Sequence, residues 1–247
     1  PLFCDFFLNN GCFFRNLCTF FDLFFPQNFS LNTPTTTTTT IMDDDDFDDI
    51  HCYVSRVLHD PRAIEEATRK VADEIDLEFG PSAYEDVAFL PCMTGAIFFA
   101  SSVLEKVHEK TPKEVVLELG SCFATSYADA TVASDVVTEV HVKGVDVRGK
   151  KVVVIEDIVD TGGTLVALCE KLKSAGAKEV HCATLLNKEA RRKKEHAEKL
   201  EKMLEKTYVG LECEDEFVVG YGLDYKGKYR CLPYIGVLKE DAINGTL

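Results

Sequence analysis

Residues 152–164 read VVVIEDIVDTGGT, and this pattern decides the fold class of the chain. The first four residues are an unbroken apolar run, which is typical of a strand buried on both faces of a parallel sheet. Two carboxylates, Glu156 and Asp157, follow the run. Residues 160–164 (DTGGT) then have the composition of a tight turn, and helical spacing begins after them. The pattern predicts a buried strand, a turn and a helix in that order.

The turn at residues 160–164 has the composition of an anion site. Backbone N–H groups and threonine hydroxyls at the start of a helix can converge on one negatively charged group without any lysine. The turn lacks the Gly-Lys-Ser/Thr ending of a Walker loop and is not a Gly-x-Gly-x-x-Gly dinucleotide turn. We therefore expect a phosphate here. The neighbouring Glu156 and Asp157 could accept hydrogen bonds from sugar hydroxyls and help to hold Mg²⁺.

Segments typical of strands and of helices alternate along the chain after residue 60. Asp60 and Pro61 are the expected N-cap and first residue of a helix that ends at Gly80. The later predicted strands are residues 87–90, 115–119, 151–155 and 180–186, and the later predicted helices are residues 95–108, 164–174 and 189–206. This alternation predicts the α/β class, with a parallel sheet flanked by helices and ligands at the C-terminal ends of the strands.

The charge balance of the 247 residues is strongly acidic. There are 27 Lys and Arg residues and 42 Asp and Glu residues, which gives a formal net charge of −15. A field of this sign repels phosphate backbones and anionic lipids, so we expect neither nucleic acid nor membrane as a partner. None of the ten cysteines belongs to a Cys-x-x-Cys pair, which favours a reducing compartment. We expect a cytoplasmic protein.

Residues 1–41 differ in composition from the rest of the chain. They contain ten of the seventeen phenylalanines and a run of six threonines, and the first methionine of the chain is Met42. We expect residues 1–41 to be a low-complexity leader outside the fold, with translation starting naturally at Met42. An organelle-targeting presequence is the alternative. Residues 42–247 are then the expected domain.

Several segments carry a resemblance to a known family. Residues 156–164 (EDIVDTGGT) resemble the phosphoribosyl-diphosphate (PRPP) motif of the type I phosphoribosyltransferases, specifically of their hypoxanthine-guanine branch. Residues 185–188 (LLNK) are similar to the strand that ends in the family's purine-reading lysine. Residues 216–225 (EFVVGYGLDY) are similar to its base-binding segment, and residues 125–127 (TSY) to its mobile active-site loop. The matches follow the family's order from about residue 87 to residue 239.

The resemblance implies an activity and an architecture. The implied enzyme transfers the 5-phosphoribosyl group of PRPP to hypoxanthine or guanine, with xanthine left open, and releases pyrophosphate. Mg²⁺ is the implied cofactor, and a homodimer or homotetramer is the implied assembly. The implied fold is the type I phosphoribosyltransferase fold, in which a small hood subdomain, built from the N-terminal part and about residues 207–247, accompanies the parallel sheet.

The resemblance also implies which residues form each part of the site. These are the phosphate turn (Asp160, Thr161, Gly162, Gly163, Thr164), the ribose carboxylates (Glu156, Asp157), the pyrophosphate-binding residues (Met93, Thr94, Gly95, Arg230), the purine-binding residues (Lys188, Phe217, Val218, Asp224), the mobile loop (Ser126, Tyr127) and the metal ligands (Asp224, Glu156, Asp157). Asp160 is the implied general base or acid at purine N7. The Lys188 ammonium can donate to the exocyclic O6 of a 6-oxopurine, and the Phe217 ring can stack on the base.

Three features depart from the family's pattern. Met93-Thr94-Gly95 stands where Leu-Lys-Gly is common, so backbone amides rather than a lysine are left to receive pyrophosphate. Gly163 stands where some members carry lysine. A longer, charged segment separates Lys188 from Phe217, and we expect it to be surface decoration.

A noncatalytic PRPP-sensing regulator of the same fold is the alternative function. Such a protein is expected to combine a basic face that binds nucleic acid with a degraded catalytic loop. The acidic charge balance and the presence of Asp160, Lys188, Asp224 and Arg230 favour the enzyme.

Overall fold

The computed structural model describes residues 51–80, 84–126 and 137–244 of the chain. These residues fall within the compact unit formed by residues 49–247. The expected leader at residues 1–41 and Tyr127 of the expected mobile loop lie outside the described residues.

The order of strands and helices follows the predicted alternation. The strands are β1 (Val54–His59), β2 (Val87–Pro91), β3 (Glu118–Leu119), β4 (Ser121–Ser126), β5 (Val137–Lys143), β6 (Lys151–Val159), β7 (Glu179–Asn187), β8 (Lys206–Glu212), β9 (Val218–Val219) and β10 (Ile235–Leu238). The helices are α1 (Pro61–Phe79), α2 (Ile97–Lys110), α3 (Gly163–Ser174), α4 (Lys194–Met203) and α5 (Glu240–Asn244), with short 3₁₀ turns at Tyr84–Asp86 and Glu189–Arg191.

The central sheet consists of parallel strands in the order β3-β2-β6-β7-β8. In the central strand β6, Val153 pairs with Phe89 of β2 and with His181 of β7. A hairpin cannot join parallel neighbours, so α3 connects β6 to β7 and α4 connects β7 to β8. The predicted α/β class with a parallel sheet flanked by helices is therefore confirmed.

Helices cover both faces of this sheet. Side chains alternate along a strand, so Val153 and Ile155 of β6 pack in the core beneath α1 and α2, whereas Val152 and Val154 pack in the core beneath α3. Burial on both faces explains why the sequence of β6 is continuously apolar at its start. None of the helices in the described part of the chain is long and apolar enough to cross a membrane.

A smaller antiparallel sheet joins the two ends of the described chain. Its strand order is β1-β10-β9, and its core contains Val54, Val219, Tyr234 and Leu238. The segment predicted for the hood, about residues 207–247, begins within β8, which belongs to the central parallel sheet. The second sheet therefore takes its C-terminal strands from residues that follow Glu212.

Three predicted elements differ from the structure. The strand expected at residues 115–119 is reduced to Glu118–Leu119, a short edge strand that pairs only with β2 among the described strands. The helix expected at residues 189–206 is limited to α4, because the chain enters β8 at Lys206 and buries Tyr208. The strand expected at residues 151–155 continues to Val159, because β7 pairs with it up to Asn187.

Candidate active site

A cleft of about 370 Å³ opens at the C-terminal ends of β2 and β6. We call it the turn cleft, and its walls are the β2–α2 loop, the end of β6, the turn into α3 and two side chains from the segment between β9 and β10. Its lining residues are Cys92, Met93, Thr94, Gly95, Ala124, Glu156, Asp157, Ile158, Val159, Asp160, Thr161, Gly162, Gly163, Thr164, Leu165, Asp224 and Arg230. Its position agrees with the rule that ligands bind beyond the carboxyl ends of parallel strands.

The phosphate turn forms one wall of the turn cleft. Gly162 is the N-cap of α3, and its φ of +87° is the left-handed conformation that glycine adopts without a steric cost. The helix begins at Gly163, and the first N–H groups of a helix have no intrahelical acceptor. All five residues of the predicted phosphate turn line the cleft. The structure therefore brings together a set of donors suited to an anion.

Glu156 and Asp157 lie within β6 and not after it, so their side chains point to opposite faces of the sheet. Glu156 is only 4% exposed, and its Oε1 has no hydrogen-bond partner within the described ranges. Burial, reinforced by the nearby Cys92 and Asp157, raises the pKa of Glu156 well above its usual value. A buried carboxyl of this kind favours its protonated form until a ligand or cation offers a partner.

Asp157 faces the side of the sheet covered by α2. Burial raises the pKa of Asp157 to about 6. The Ile158 N–H donates to its Oδ1 at 2.9 Å and the Arg230 guanidinium is close, and both effects oppose the rise, whereas the Asp224 carboxylate adds to it. The pKa of Asp157 thus reflects a partly buried carboxyl between one cation and one anion.

Asp224 and Arg230 form an ion pair at the rim of the turn cleft. Arg230 Nη2 lies 2.6 Å from Asp224 Oδ1, and the Gly227 N–H donates to Asp224 Oδ2 at 2.6 Å. Arg230 Nη1 also donates to the carbonyl of Gly222. These contacts fix both side chains on the loop between β9 and β10, where the guanidinium is available to an anion.

The β2–α2 loop forms the opposite wall of the turn cleft. The Met93 N–H donates to the Cys122 carbonyl at 2.8 Å, which fixes the loop against β4. Gly95 lies so close to the Asp157 carboxylate that a Cβ atom at this position would overlap it. Met93, Thr94 and Gly95, the residues predicted for pyrophosphate, therefore face the phosphate turn across the cleft.

A second cavity, of about 230 Å³, adjoins the turn cleft, and we call it the lysine cavity. Its lining residues are Asp157, Ile158, Asp160, Lys188, Arg191, Glu216, Phe217, Val218, Leu223 and Asp224. It contains all four residues predicted to bind a purine. Asp157, Ile158, Asp160 and Asp224 line both cavities, so the two spaces are direct neighbours.

Lys188 is held in a fixed position at the end of β7. Its side chain is 5% exposed, and its Nζ donates to the Glu216 carbonyl at 2.7 Å and lies 3.2 Å from Asp215 Oδ1. The ammonium has three protons, so it retains a donor for a ligand. Phe217 is 42% exposed, and its ring is nearly perpendicular to the Tyr225 ring, with 5.3 Å between the ring centroids. Val218 is buried in β9.

Asp160 lies where the two cavities meet. Its Oδ1 forms an ion pair with Arg191 Nε at 3.5 Å but makes no hydrogen bond to a residue that the structure describes. The sequence gives Arg191 no role beyond surface charge, yet the structure places it in the lysine cavity. Ser126 ends β4, and Ala124 of the same strand reaches the turn cleft, so this strand leads from the cleft to the expected mobile loop.

The residues predicted as a joint metal set do not converge. All three line the turn cleft, but Glu156 and Asp157 leave β6 on opposite faces of the sheet. No group of three or more His, Cys, Asp or Glu side chains within the described segments is arranged to hold a metal ion. The Asp157 and Asp224 carboxylates, which line the same cleft as the predicted phosphate turn, are nevertheless the kind of hard oxygen donors that Mg²⁺ prefers.

The phosphate turn is also supported from behind by residues that the sequence reasoning missed. Arg192 and His196, from the segment expected to be surface decoration, hydrogen-bond to backbone carbonyls of the turn. The only sequence signal was the pair Arg191-Arg192 directly after Lys188, which a charge pattern alone assigns to the surface.

Comparison with known proteins agrees with this geometry. Residues 55–226 match the model of the phosphoribosyl transferase domain. The chain therefore belongs to the phosphoribosyl transferase family.

Among relatives, the chain is 34% identical over 194 residues to the bifunctional protein TilS/HprT of Listeria monocytogenes, a match that covers 78% of this chain and 27% of that protein. The chain thus spans about a quarter of the length of these bifunctional relatives. It is 36% identical over 177 residues to the hypoxanthine-guanine phosphoribosyltransferase of Bacillus subtilis, covering 71% of this chain and 90% of that protein.

A solved structure is similar over most of this chain. The hypoxanthine phosphoribosyltransferase of Staphylococcus aureus superposes with a TM-score of 0.62 at 30% identity, covering 77% of this chain and 94% of that one. The resemblance to the hypoxanthine-guanine branch of the family is confirmed.

Proposed function

We propose that the protein is a purine-salvage phosphoribosyltransferase that transfers the 5-phosphoribosyl group of PRPP to hypoxanthine or guanine. The observation that carries the proposal is that the two cavities lie side by side and share Asp160 as a lining residue. One cavity has an anion-binding turn, and the other has a fixed ammonium and an exposed aromatic ring. A site that joins these two chemistries suits a reaction between a sugar phosphate and a planar base.

In this proposal the 5′-phosphate of PRPP occupies the phosphate turn. The pyrophosphate group lies between the β2–α2 loop and Arg230, and the ribose lies above the end of β6. The bond between C1′ and the pyrophosphate oxygen breaks, with its electron pair leaving on pyrophosphate, and a bond forms between C1′ and purine N9. The proton on N7 passes to the Asp160 carboxylate. The carboxylates of Asp157 and Asp160 favour the positive charge that develops on the sugar.

Mg²⁺ is the proposed cofactor. Asp157 and Asp224 would hold it together with substrate oxygens, because both line the turn cleft and both supply hard oxygen ligands. Bound Mg²⁺ neutralises charge on the pyrophosphate oxygens and so makes pyrophosphate a better leaving group. The Asp224–Arg230 pair places a cation beside this position without Mg²⁺.

The base selectivity of the proposed enzyme depends on Lys188. The ammonium donates to an exocyclic oxygen at purine C6 and has no acceptor for the amino group that adenine carries there. A purine with an oxo group at C6 is therefore favoured, because a buried donor without an acceptor is costly. The assembly as a homodimer or homotetramer stays a prediction from the resemblance.

The test is steady-state kinetics of the full chain with PRPP, Mg²⁺ and each of hypoxanthine, guanine, xanthine and adenine. We expect kcat/KM for hypoxanthine or guanine to exceed that for adenine by at least tenfold. Lys188→Gln should reduce kcat/KM for the 6-oxopurines by roughly 10- to 100-fold, the value of a hydrogen bond to a charged group.

The matched control for this test is Lys113→Gln, which removes an exposed lysine from the α2–β3 connection. Adenine as the best substrate would contradict the role of Lys188. Absence of turnover with every purine, together with measurable PRPP binding, would instead support the noncatalytic regulator.

A further inference from the structure

We propose that the segment at residues 192–196 positions the phosphate turn, and that His196 is a positioning residue for PRPP. The inference rests on the proposed transferase function. The sequence predicted this segment to be surface decoration because of its charge. The structure instead places it directly behind the turn, on the side opposite the turn cleft.

The first contact is made by His196, which lies in the first turn of α4. Its Nδ1 is 2.8 Å from the Thr161 carbonyl oxygen. Since a carbonyl can only accept, Nδ1 carries the proton and donates it. The His196 side chain is 14% exposed, so little water competes for this bond. The Lys193 N–H donates to the same carbonyl at 3.3 Å.

The second contact is made by Arg192, which holds the two preceding carbonyls. Its Nε donates to the Asp160 carbonyl and its Nη2 to the Val159 carbonyl, both at 2.9 Å. The same Nη2 lies 2.8 Å from Asn187 Oδ1 at the end of β7. One segment therefore holds three consecutive carbonyls, the last of β6 and the first two of the turn.

The third contact is steric and involves Gly162. A Cβ atom at this glycine would lie 2.8 Å from Arg192 Cδ, 3.2 Å from His196 Cβ and 3.3 Å from Leu200 Cδ1. The backbone of the turn thus packs against α4 with no room for a side chain. This packing, and the φ of +87°, both require glycine at the position.

These contacts have a consequence for the face of the turn that lines the cleft. In a trans peptide unit the C=O and the following N–H point in opposite directions. The carbonyls of Val159, Asp160 and Thr161 point toward residues 192–196. The N–H group that follows each of them therefore points away from that segment and toward the turn cleft. The anion-binding donors are then oriented before PRPP arrives, which lowers the cost of binding.

The test compares His196→Leu with His196→Asn in the full chain. Leucine removes the donor and keeps an apolar side chain against Gly162, whereas the asparagine amide places an N–H close to the position of Nδ1. For His196→Leu we expect KM for PRPP to rise about three- to tenfold, the value of one hydrogen bond, with KM for the purine and kcat changed less than twofold. His196→Asn should recover at least half of the loss on a logarithmic scale.

The matched control is Glu198→Ala, which removes an exposed side chain from the same helix. A role limited to folding would lower Tm for His196→Leu without a selective change in KM for PRPP, and that result would overturn the proposal. If His196→Leu does not fold, His196→Gln replaces it, because glutamine displaces the donor by one carbon while keeping a polar side chain.

The proposed function and this inference fail in different ways. A wild-type chain that turns over no purine contradicts the function, and calorimetric titration of PRPP into the wild type and into His196→Leu then tests the positioning role by itself. If the wild type is active and KM for PRPP is the same in the wild type and in His196→Leu, only the positioning role is contradicted.

Discussion

Asp160 combines two properties that a proton acceptor at the reacting base needs. It lies at the junction of the turn cleft and the lysine cavity, and its Oδ1 makes no hydrogen bond to a described residue. Its backbone carbonyl, in contrast, is fixed by Arg192 at 2.9 Å. The backbone is therefore held by a hydrogen bond, whereas the carboxylate Oδ1 has only an ion pair with Arg191 Nε at 3.5 Å.

Asp160→Asn should retain PRPP binding and reduce kcat by at least about 100-fold, because the amide keeps the shape of the side chain but accepts no proton from N7. Calorimetric titration of PRPP and steady-state kinetics with hypoxanthine measure the two quantities separately. Unchanged turnover would remove Asp160 from the proton transfer.

Gly95→Ala should reduce kcat/KM for PRPP by tenfold or more, because its Cβ would overlap the Asp157 carboxylate and displace either the β2–α2 loop or β6. Gly149→Ala is the control, since it has open space around the added methyl group and lies away from both cavities. Its positive φ of 74° costs stability without affecting the site. Equal kinetics for the two variants would contradict the proposed role of this close approach.

Among the secondary-structure elements, α1 shows how a local sequence signal becomes tertiary packing. Asp60 Oδ1 accepts from the Ala63 N–H at 2.7 Å, and Pro61 occupies the first turn. The helix then buries Ile64, Val71 and Ile75 against the central sheet. The capping residues were predicted from the sequence alone, because the cap joins a side chain to a backbone N–H only three residues away.

Asp60→Ala should lower the free energy of unfolding by about 1 kcal/mol, since it leaves the Ala63 N–H without its acceptor. Urea denaturation monitored by circular dichroism measures the change. Asp60→Asn retains a capping oxygen and should remain within a few tenths of a kcal/mol of the wild type. A loss equal to that of Asp60→Ala would contradict the capping explanation.

Across the whole molecule, His181 links the packing of the sheet to the pH dependence of stability. The ring is buried between Phe79 and Tyr208, and its Nε2 lies 3.5 Å from a Glu179 carboxylate oxygen. Burial lowers the pKa of His181 below its usual value of 6.5, because it penalises the charged ring, although Glu179 opposes this effect. The folded protein therefore keeps His181 neutral at pH values where the unfolded chain is already partly protonated.

The contribution of His181 to the free energy of unfolding should consequently decrease as the pH falls below about 6.5, since the unfolded state then binds the proton that the folded state excludes. Asp157 and Glu156, whose pKa values are raised by burial, contribute in the opposite direction. Compared with the wild type, His181→Phe should lose this His181 contribution to the pH dependence between about pH 6.5 and pH 5. Urea denaturation across this range measures it, with His108→Phe, at the exposed end of α2, as the control. An unchanged slope in His181→Phe would show that other groups, such as the partly buried His59, carry the dependence.

Features that depend on neighbouring residues were predictable from the sequence. The apolar run of β6, the turn at residues 160–164 and the cap of α1 each depend on contacts within a few positions. They were enough to predict the α/β class and, with the resemblance, the branch of the family. The ends of the elements were less predictable, because pairing with β7 decides where β6 ends.

The arrangement of the site depended on contacts between distant residues. Charge in the sequence indicates solvent, so Arg192 and His196 were assigned to the surface; the tertiary fold instead places acceptors from residues 159–161 beside them. Lys188 is likewise held by residues 27 and 28 positions later in the chain. The sequence by itself determined strand β6, the turn at residues 160–164 and the chemical groups that are available. Only the tertiary structure decided which of those groups meet, because burial and strand pairing depend on segments that are distant in the chain and come together on folding.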